Sequence, residues 1–173
     1  MTALDNTPVN KNYLSPLNFN FELKRSPHVN FFVQSLNIPG FSFIAPLQQN
    51  PFSNIPQVGD RIRYEDLEVT FKVDEDLQNY FEIYNWIRSL GFPENFEEYA
   101  QIKALPITGG KAVRSDITVL ISNAIKVPRW SVVFRECFPV SMSRLNFQTT
   151  DTSVNYLSCT ATFKYIFFDI AEI

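Results

Sequence analysis

The stretch VGDRIRYEDLEVTFKVDED, residues 58–76, carries the clearest strand signal in the chain, followed directly by the signal for a helix. The pattern predicts a strand over residues 61–73, in which Leu67, Val69 and Phe71 share one face and polar residues occupy the other. A strand with one apolar and one wet face belongs to an antiparallel sheet that covers a core.

After this strand, the spacing of the apolar residues changes from every second residue to the spacing of three to four residues that is typical of a helix. Asp74, Glu75 and Asp76 stand where the backbone N–H groups and the dipole of a helix start favour anions. Gly91 supplies a residue that ends the helix, and Pro93 begins a second short helix that extends to about Ala104. The predicted apolar face of the first helix consists of Leu77, Tyr80, Phe81, Tyr84 and Ile87.

Two further strands are predicted before this region. Leu17, Phe19, Phe21 and Leu23 alternate with polar residues, and a second apolar run extends over residues 29–36. The short Ser-Pro-His break between them favours pairing of the two runs in a hairpin. The preceding residues, 1–16, are mostly polar and predict an N-terminal arm.

Residues 41–60 combine three prolines with several large apolar side chains, which is unusual for a loop in solvent. The segment is either a long hairpin with a proline-interrupted tip or a cover for the surface of a neighbouring molecule. Its apolar side chains are candidate contacts to another subunit: Phe41, Phe43, Ile44, Phe52 and Ile55.

The C-terminal half returns to strand patterns. Apolar alternation occurs at residues 117–121 and 130–134, a bend is expected at Phe138-Pro139, and the longest strand spans residues 157–167. Strands, then a helical hairpin, then strands predict a mainly β (α+β) fold, an antiparallel β-sandwich or barrel with one or two short helices packed against it. We expect a single domain over residues 17–173.

Composition excludes several classes of function. The 173 residues carry a net charge of −3, and Lys and Arg are scattered, so a basic stripe for nucleic acid is not evident. The N-terminus has no apolar core of a signal peptide, and no window approaches a membrane span of about 20 apolar residues. These features predict a protein that stays in the cytoplasm or leaves with a particle. Cys137 and Cys159 are interpreted as buried, reduced thiols.

Catalytic constellations are not found either. His28 is the only histidine, and it is expected in a turn rather than in a catalytic site. The acidic run at residues 74–76 lacks the Gly and Glu of a calcium loop, and Gly109-Gly110-Lys111 lacks the rest of a phosphate loop. We therefore predict no enzyme activity, no cofactor and no metal site.

Several motifs, read in order, resemble the tail tube proteins of contractile-tailed bacteriophages, which are related in fold to the tubes of type VI secretion systems. The motifs are Asn18–Leu23 with Phe31-Phe32 and Ile38-Pro39-Gly40; Val58–Arg61 with Tyr64–Phe71, Asp74-Glu75 and Trp86; Ile107–Lys111; and Phe138–Ser141 with Leu145–Phe147 and Phe163–Tyr165. Together they span residues 16–168.

This resemblance implies a structural virion protein, made in the host cytoplasm, whose hexameric rings stack head to tail into the inner tube of a contractile tail. Sheath and baseplate or neck proteins would be partners, and DNA would pass the lumen without specific binding. The segment 41–60 would reach the adjacent ring, and Asp66 and Glu68 would face the lumen. A tube-like ring of the baseplate or neck, and a monomeric small-molecule-binding β-barrel, are the alternatives.

Overall fold

The computed structural model describes residues 11–91, 97, 113–150 and 155–173. The predicted second helix at 93–104 and the predicted loop at 106–111 lie outside the described residues, apart from residue 97. The described elements, in chain order, are β1 (Phe19–Leu23), α1 (Pro27–Phe32), β2 (Val33–Asn37), β3 (Phe41–Phe43), β4 (Leu47–Gln49), β5 (Asn54–Pro56), β6 (Ile62–Tyr64), β7 (Leu67–Lys72), α2 (Gln78–Gly91), β8 (Ser115–Ser122), β9 (Pro128–Met142), β10 (Ser158–Lys164) and β11 (Phe168–Glu172).

The 15-residue strand β9 is shared by two antiparallel layers. Its N-terminal half pairs with β8 and β11, and β8 pairs in turn with β1; we call these strands sheet A. Its C-terminal half pairs with β10, which leads to β7 and β2; we call these strands sheet B. The predicted fold class is confirmed, because the described structure is an antiparallel β-sandwich with two helices and its sheets are not closed into a barrel.

A bulge in β9 lets one strand serve both sheets. Ile117 pairs with Phe134, but Ser115 pairs with Cys137, so β9 has an extra residue at this point. Glu136 there has a positive φ of 54°, and its N–H donates to the carboxylate of Asp116 at 2.9 Å. The extra residue changes the side-chain alternation, so that Phe134 and Cys137 both point into the core. At the bend expected at Phe138-Pro139, β9 continues, but its register with β10 shifts, because Phe163 pairs with Pro139 and Thr162 with Ser141.

The core lies between the two sheets and is closed by the helices. The strand predicted over residues 61–73 is confirmed in its second part, β7, where all three apolar residues are fully buried. It is interrupted at Glu65 and Asp66, and its first part is the separate strand β6, which pairs with β3. The buried apolar side chains are Phe21, Leu23, Val29, Leu67, Val69, Phe71, Ile83, Trp86, Ile117, Val119, Val132, Phe134, Cys137, Cys159, Ala161 and Phe163. Burial of these side chains is the main source of stability.

The predicted hairpin between residues 17–23 and 29–36 is wrong. Pro27 occupies the first turn of a helix, where its fixed φ is favourable, and α1 takes the first part of the second run. The side-chain amide of Asn30 accepts a hydrogen bond from the N–H of Leu23 at 2.8 Å, which holds α1 against the end of β1. As a result, β1 pairs with β8, and β2 pairs with β7. Leu17 precedes the strand and is exposed.

Two other predictions need correction. The buried face of α2 consists of Asn79, Ile83 and Trp86, whereas Phe81 and Tyr84 of the predicted face are exposed. The asparagine is tolerated there because its side chain donates to the carbonyl of Lys72 and accepts from the N–H of Asp74. The long last strand is interrupted at residues 165–167, opposite the bulge of β9, and continues as β11.

Candidate assembly surfaces

The segment after β2 folds into a long hairpin, Phe41–Tyr64, that extends the strands of sheet B. Its lower part is the β3–β6 pair, and its upper part is the β4–β5 pair. Between the two parts, Ile44 N–H donates to Arg61 O at 3.1 Å, and Gln57 N–H donates to Pro46 O at 2.8 Å. These bonds keep the two arms paired although prolines interrupt the ladder.

Gly59 explains why the Val-Gly-Asp motif precedes β6. A Cβ atom at this position would lie 1.7 Å from the carbonyl oxygen of Ile44, on the opposite arm. The two backbones therefore approach more closely than any other residue would allow. The glycine is a requirement of the geometry of the long hairpin, not of the core.

An aromatic cluster fixes the base of the long hairpin to the sandwich. The ring of Phe168, at the start of β11, lies 6.2 Å from that of Phe41, 5.7 Å from that of Tyr64 and 5.4 Å from that of Phe134. The pairs with Phe41 and Tyr64 are edge-to-face and the pair with Phe134 is tilted, and aromatic contacts at these distances are favourable beyond the area they bury. The lowest residues of the long hairpin thus have a defined position relative to the core.

Hydrogen bonds reinforce the same junction. The hydroxyl of Tyr165 donates to the carbonyl of Glu65 at 2.9 Å, and burial raises the pKa of this tyrosine to about 12. The N–H of Glu65 donates to Gly40 O at 3.0 Å, while the Glu65 carboxylate accepts from Gly40 N–H at 3.2 Å. Glu65, just before β7, is therefore hydrogen-bonded both to Gly40, just before β3, and to Tyr165, just after β10.

Beyond this base, the long hairpin is apolar and lies in solvent. Every residue from Gly40 to Val58 is exposed, and Phe52 at the tip is 97% exposed. No Asp, Glu, Lys or Arg occurs between Val29 and Val58. All five predicted contact residues lie on this one element: Phe41, Phe43, Ile44, Phe52 and Ile55. Exposed apolar side chains gathered on one element are typical of surfaces that bind another molecule.

The two acidic residues predicted to face the lumen are at the hairpin end of sheet B. Asp66 precedes β7 instead of lying within a strand, and its carboxylate is 3.4 Å from the ammonium of Lys164. Glu68 is exposed on the face of β7 that points away from the core, opposite Thr162 and Asn37 of the neighbouring strands. Both acidic residues thus lie near the hairpin end of sheet B, and Asp66 forms an ion pair with Lys164.

Sequence reasoning missed the free sheet edges, because which strands pair is a long-range property. Among the described residues, β1, β2 and β11 each pair with a single strand. An edge strand presents unpaired N–H and C=O groups and can pair with a strand of another molecule. An apolar groove lined by Phe19, Leu36, Ile38 and Val119 lies between the edges of β1 and β2.

The reactive side chains do not form a catalytic arrangement in the described structure. His28 is predicted in a turn but lies on α1, where Glu82 of α2 accepts its hydrogen bond at 2.5 Å and raises the pKa of the imidazole. Burial raises the pKa of Cys137 to about 12 and also raises the pKa of Cys159. Within residues 11–91, 113–150 and 155–173, no group of three His, Cys, Asp or Glu residues could hold a metal ion.

The described part of the chain contains no helix long and apolar enough to cross a membrane. No protein-family model matches the sequence. No curated protein sequence matches it either.

Solved structures do match. A chain of the anti-feeding prophage tube-terminating cap is 13% identical and has a TM-score of 0.60, with all of both chains covered. A chain of the sheath–tube complex of an extracellular contractile injection system, PVC, is 12% identical and has a TM-score of 0.54, with 94% of each chain covered. A chain of the 6-fold symmetrised baseplate of the anti-feeding prophage is 11% identical and also has a TM-score of 0.54, covering 88% of this chain and 90% of that one. The chain therefore has the tube-like fold found in contractile injection machines, as the sequence resemblance implies.

Proposed function

We propose that this chain is a non-enzymatic structural subunit whose hexameric rings stack head to tail into the inner tube of a contractile phage tail. The observation that carries the proposal is the long hairpin, which exposes apolar side chains over its whole length although the fold has a complete core. A second copy of the chain would cover these side chains. DNA would pass through the tube without specific binding, and sheath and baseplate or neck proteins would contact it in the virion.

Ring closure would use the free edges of the sheets. Six copies placed edge to edge join their strands into one barrel, which removes the exposed edges. A similar chain occurs in a 6-fold symmetrised baseplate, which supports six as the number of subunits.

Ring stacking would use the long hairpin. A head-to-tail contact is open-ended, so that each added ring presents the surface on which the next one binds. In this arrangement Phe41, Phe43, Ile44, Phe52 and Ile55 contact the adjacent ring.

Sheet B would form the wall of the lumen. Its outward face carries Glu68, Thr70 and Lys72 on β7, and the hydroxyls of Thr70 and Thr160 are 2.9 Å apart. Asp66 is neutralised in part by Lys164. A polar face with few unpaired charges offers no site that retains a passing polyanion, which supports unhindered transit of DNA.

A specialised ring at the end of the tube is the second candidate. The specific observation is the cap structure, which covers all of both chains at a TM-score of 0.60, against 0.54 for the chains of the sheath–tube complex and the baseplate. A terminal ring stops after one or two layers, whereas a tube subunit continues to add rings.

The test is negative-stain electron microscopy of the purified protein over a concentration series, with a variant that lacks Gln48–Ser53 at the tip. We expect hollow six-fold rings and tubes from the intact chain and single rings from the shortened one. Isolated rings at every concentration from both proteins would favour the terminal ring. Monomers throughout would contradict the assembly and support the small-molecule-binding barrel. Tubes of normal length from the shortened chain would exclude the hairpin as the inter-ring contact.

A further inference from the structure

Sheet B has two distinct ends, and the long hairpin leaves from one of them. At the hairpin end, Asn37 of β2 pairs with Glu68 of β7. At the opposite end, Lys72 of β7 pairs with Ser158 of β10. Because all strands of sheet B are antiparallel, every connection between them lies at one end or the other. We call the end without the hairpin the far end.

The far end carries two large aromatic side chains in solvent. Phe147, in the connection from β9 to β10, is 74% exposed, and so is Tyr156, just before β10. The backbone around Tyr156 is held in place, since its carbonyl accepts from the ammonium of Lys72 at 3.2 Å and Leu157 O accepts from Val73 N–H at 2.9 Å. The Tyr156 ring is therefore presented on backbone of fixed position, and both rings are exposed in the described structure.

The two segments that carry Phe147 and Tyr156 are uncharged, like the long hairpin, and Lys72 of β7 is a charged neighbour at the far end. Residues 145–150 and 155–162 contain no charged side chain, and neither does the hairpin up to Val58. Burying Phe147 and Tyr156 under the uncharged hairpin is favourable, and the ammonium of Lys72 beside them already has the carbonyl of Tyr156 as a hydrogen-bond partner. A groove at the hairpin base fits less well, because Arg63, Glu65 and Asp66 line it.

The reach of the hairpin is sufficient for this contact. At about 3.3 Å per residue, the arm from Phe41 to Gln49 is about 30 Å long, and the six residues of β7 span about 20 Å. The hairpin is thus longer than the sheet from which it extends. It can cross the boundary between two stacked copies and lie on the far end of the next one.

From this polarity we infer that the long hairpin of one copy packs against Phe147 and Tyr156 at the far end of sheet B in a second copy. The donor and acceptor surfaces are at opposite ends of the same sheet, so the contact repeats by translation along one direction. The inference rests on the proposed function and adds to it the partner surface of the hairpin.

Cysteine cross-linking in the assembled protein tests this pairing. Three double variants combine Phe147→Cys with Phe43→Cys, Leu47→Cys or Phe52→Cys, and a second set replaces Phe147→Cys by Tyr156→Cys in case the first acceptor variant does not fold. A short bismaleimide joins thiols only when they are close. The native Cys137 and Cys159 are fully buried and will not interfere.

The matched control uses Ile125→Cys in place of the far-end cysteine. Ile125 is 78% exposed on the β8–β9 turn, so its thiol is as accessible as one at Phe147. We expect covalent trimers and larger species from at least one hairpin position with the far end, no such species with Ile125→Cys, and at most dimers from each single-cysteine variant.

Other outcomes overturn the inference in distinguishable ways. The protein could form tubes but give long covalent species only with Ile125→Cys, or with neither acceptor cysteine. Either result would exclude the far end as the partner surface and leave the proposed function unaffected. A wild-type chain that remains monomeric at every concentration would remove the proposed function and, with it, this inference.

Discussion

Gly59→Ala is expected to prevent assembly while leaving the fold of the sandwich intact. The added Cβ would lie 1.7 Å from Ile44 O, whereas a carbon and a carbonyl oxygen in contact are about 3.3 Å apart. The arms of the long hairpin would have to separate by about 1.6 Å. The closest carbonyl belongs to the backbone, so no side chain can move aside to relieve the clash.

Separating the arms weakens hydrogen bonds of the long hairpin alone. The bonds beside the clash, from Ile44 to Arg61 and from Gln57 to Pro46, contribute about 1 kcal/mol each. No residue between Gly40 and Val58 is buried, so the core that determines global unfolding is unchanged. At a concentration where the wild type has not assembled either, we therefore expect the melting temperature to fall by no more than about 3 °C.

Pelleting of tubes and scanning calorimetry measure the two effects separately. The matched control is Gly91→Ala at the end of α2, where a Cβ would meet no described atom within 4 Å and assembly should be normal. Gly40→Ala is an intermediate case, because the added atom would meet the flexible carboxylate of Glu65 at 2.9 Å. Tubes from Gly59→Ala at the wild-type concentration would refute the reasoning. A fall in melting temperature of more than about 8 °C would show that the hairpin contributes to the core after all.

Two further predictions concern the sandwich itself. Trp86→Ala removes a ring that is 1% exposed and a hydrogen bond from its indole N–H to Val113 O at 3.1 Å. The free energy of unfolding, measured in urea, should therefore fall by about 3–5 kcal/mol. A fall below about 1 kcal/mol would contradict the position of Trp86 in the core. The pKa of His28, measured by NMR titration, should lie above about 6.5 and decrease in Glu82→Gln. Because the folded pKa is raised, the small stabilisation from this contact is present below the unfolded pKa and is lost as pH rises through the folded one. An unchanged pKa in Glu82→Gln would exclude the contact.

Sheet strands could be predicted from sequence wherever one face alone is buried. Leu67, Val69 and Phe71 face the core of sheet B, and Ile117 and Val119 face that of sheet A. Their polar neighbours lie on the wet face, so the period of two is clear.

Prediction failed where tertiary contacts decide the local conformation. Phe31 and Phe32 have a high preference for strands, but α1 forms there because Pro27 begins a helix and Asn30 binds the end of β1. In α2 the apolar residues extend around more than half of the helix, so their spacing alone could not show that Trp86 is buried and Phe81 is not. The bulge of β9 is not visible in composition at all, since it depends on Asp116 from another strand.

The candidate surface was only partly predictable for a similar reason. The apolar, proline-rich composition of residues 41–60 indicates an unusual segment, and its five candidate residues do lie on one element. Whether such side chains pack on their own chain or point into solvent depends on the path of the backbone. The far end is harder still, because Phe147 and Tyr156 are isolated residues in sequence, and only the pairing of β9 and β10 shows that their connection lies opposite the hairpin end of sheet B.

The distribution of aromatic residues between core and surface favours assembly over a monomeric binding barrel. A small-molecule carrier needs space between its sheets, but here Phe71, Phe134, Phe163 and Trp86 fill the interior of the sandwich. The exposed rings, such as Phe52 and Phe147, are outside the core and contribute little to the stability of a single copy. Burying each of them against a second chain would contribute about 2 kcal/mol, and a ring contact would do so six times over. This division of the aromatic residues is what the proposed assembly predicts, because a single copy folds around its own core and leaves the other rings for burial against a second copy.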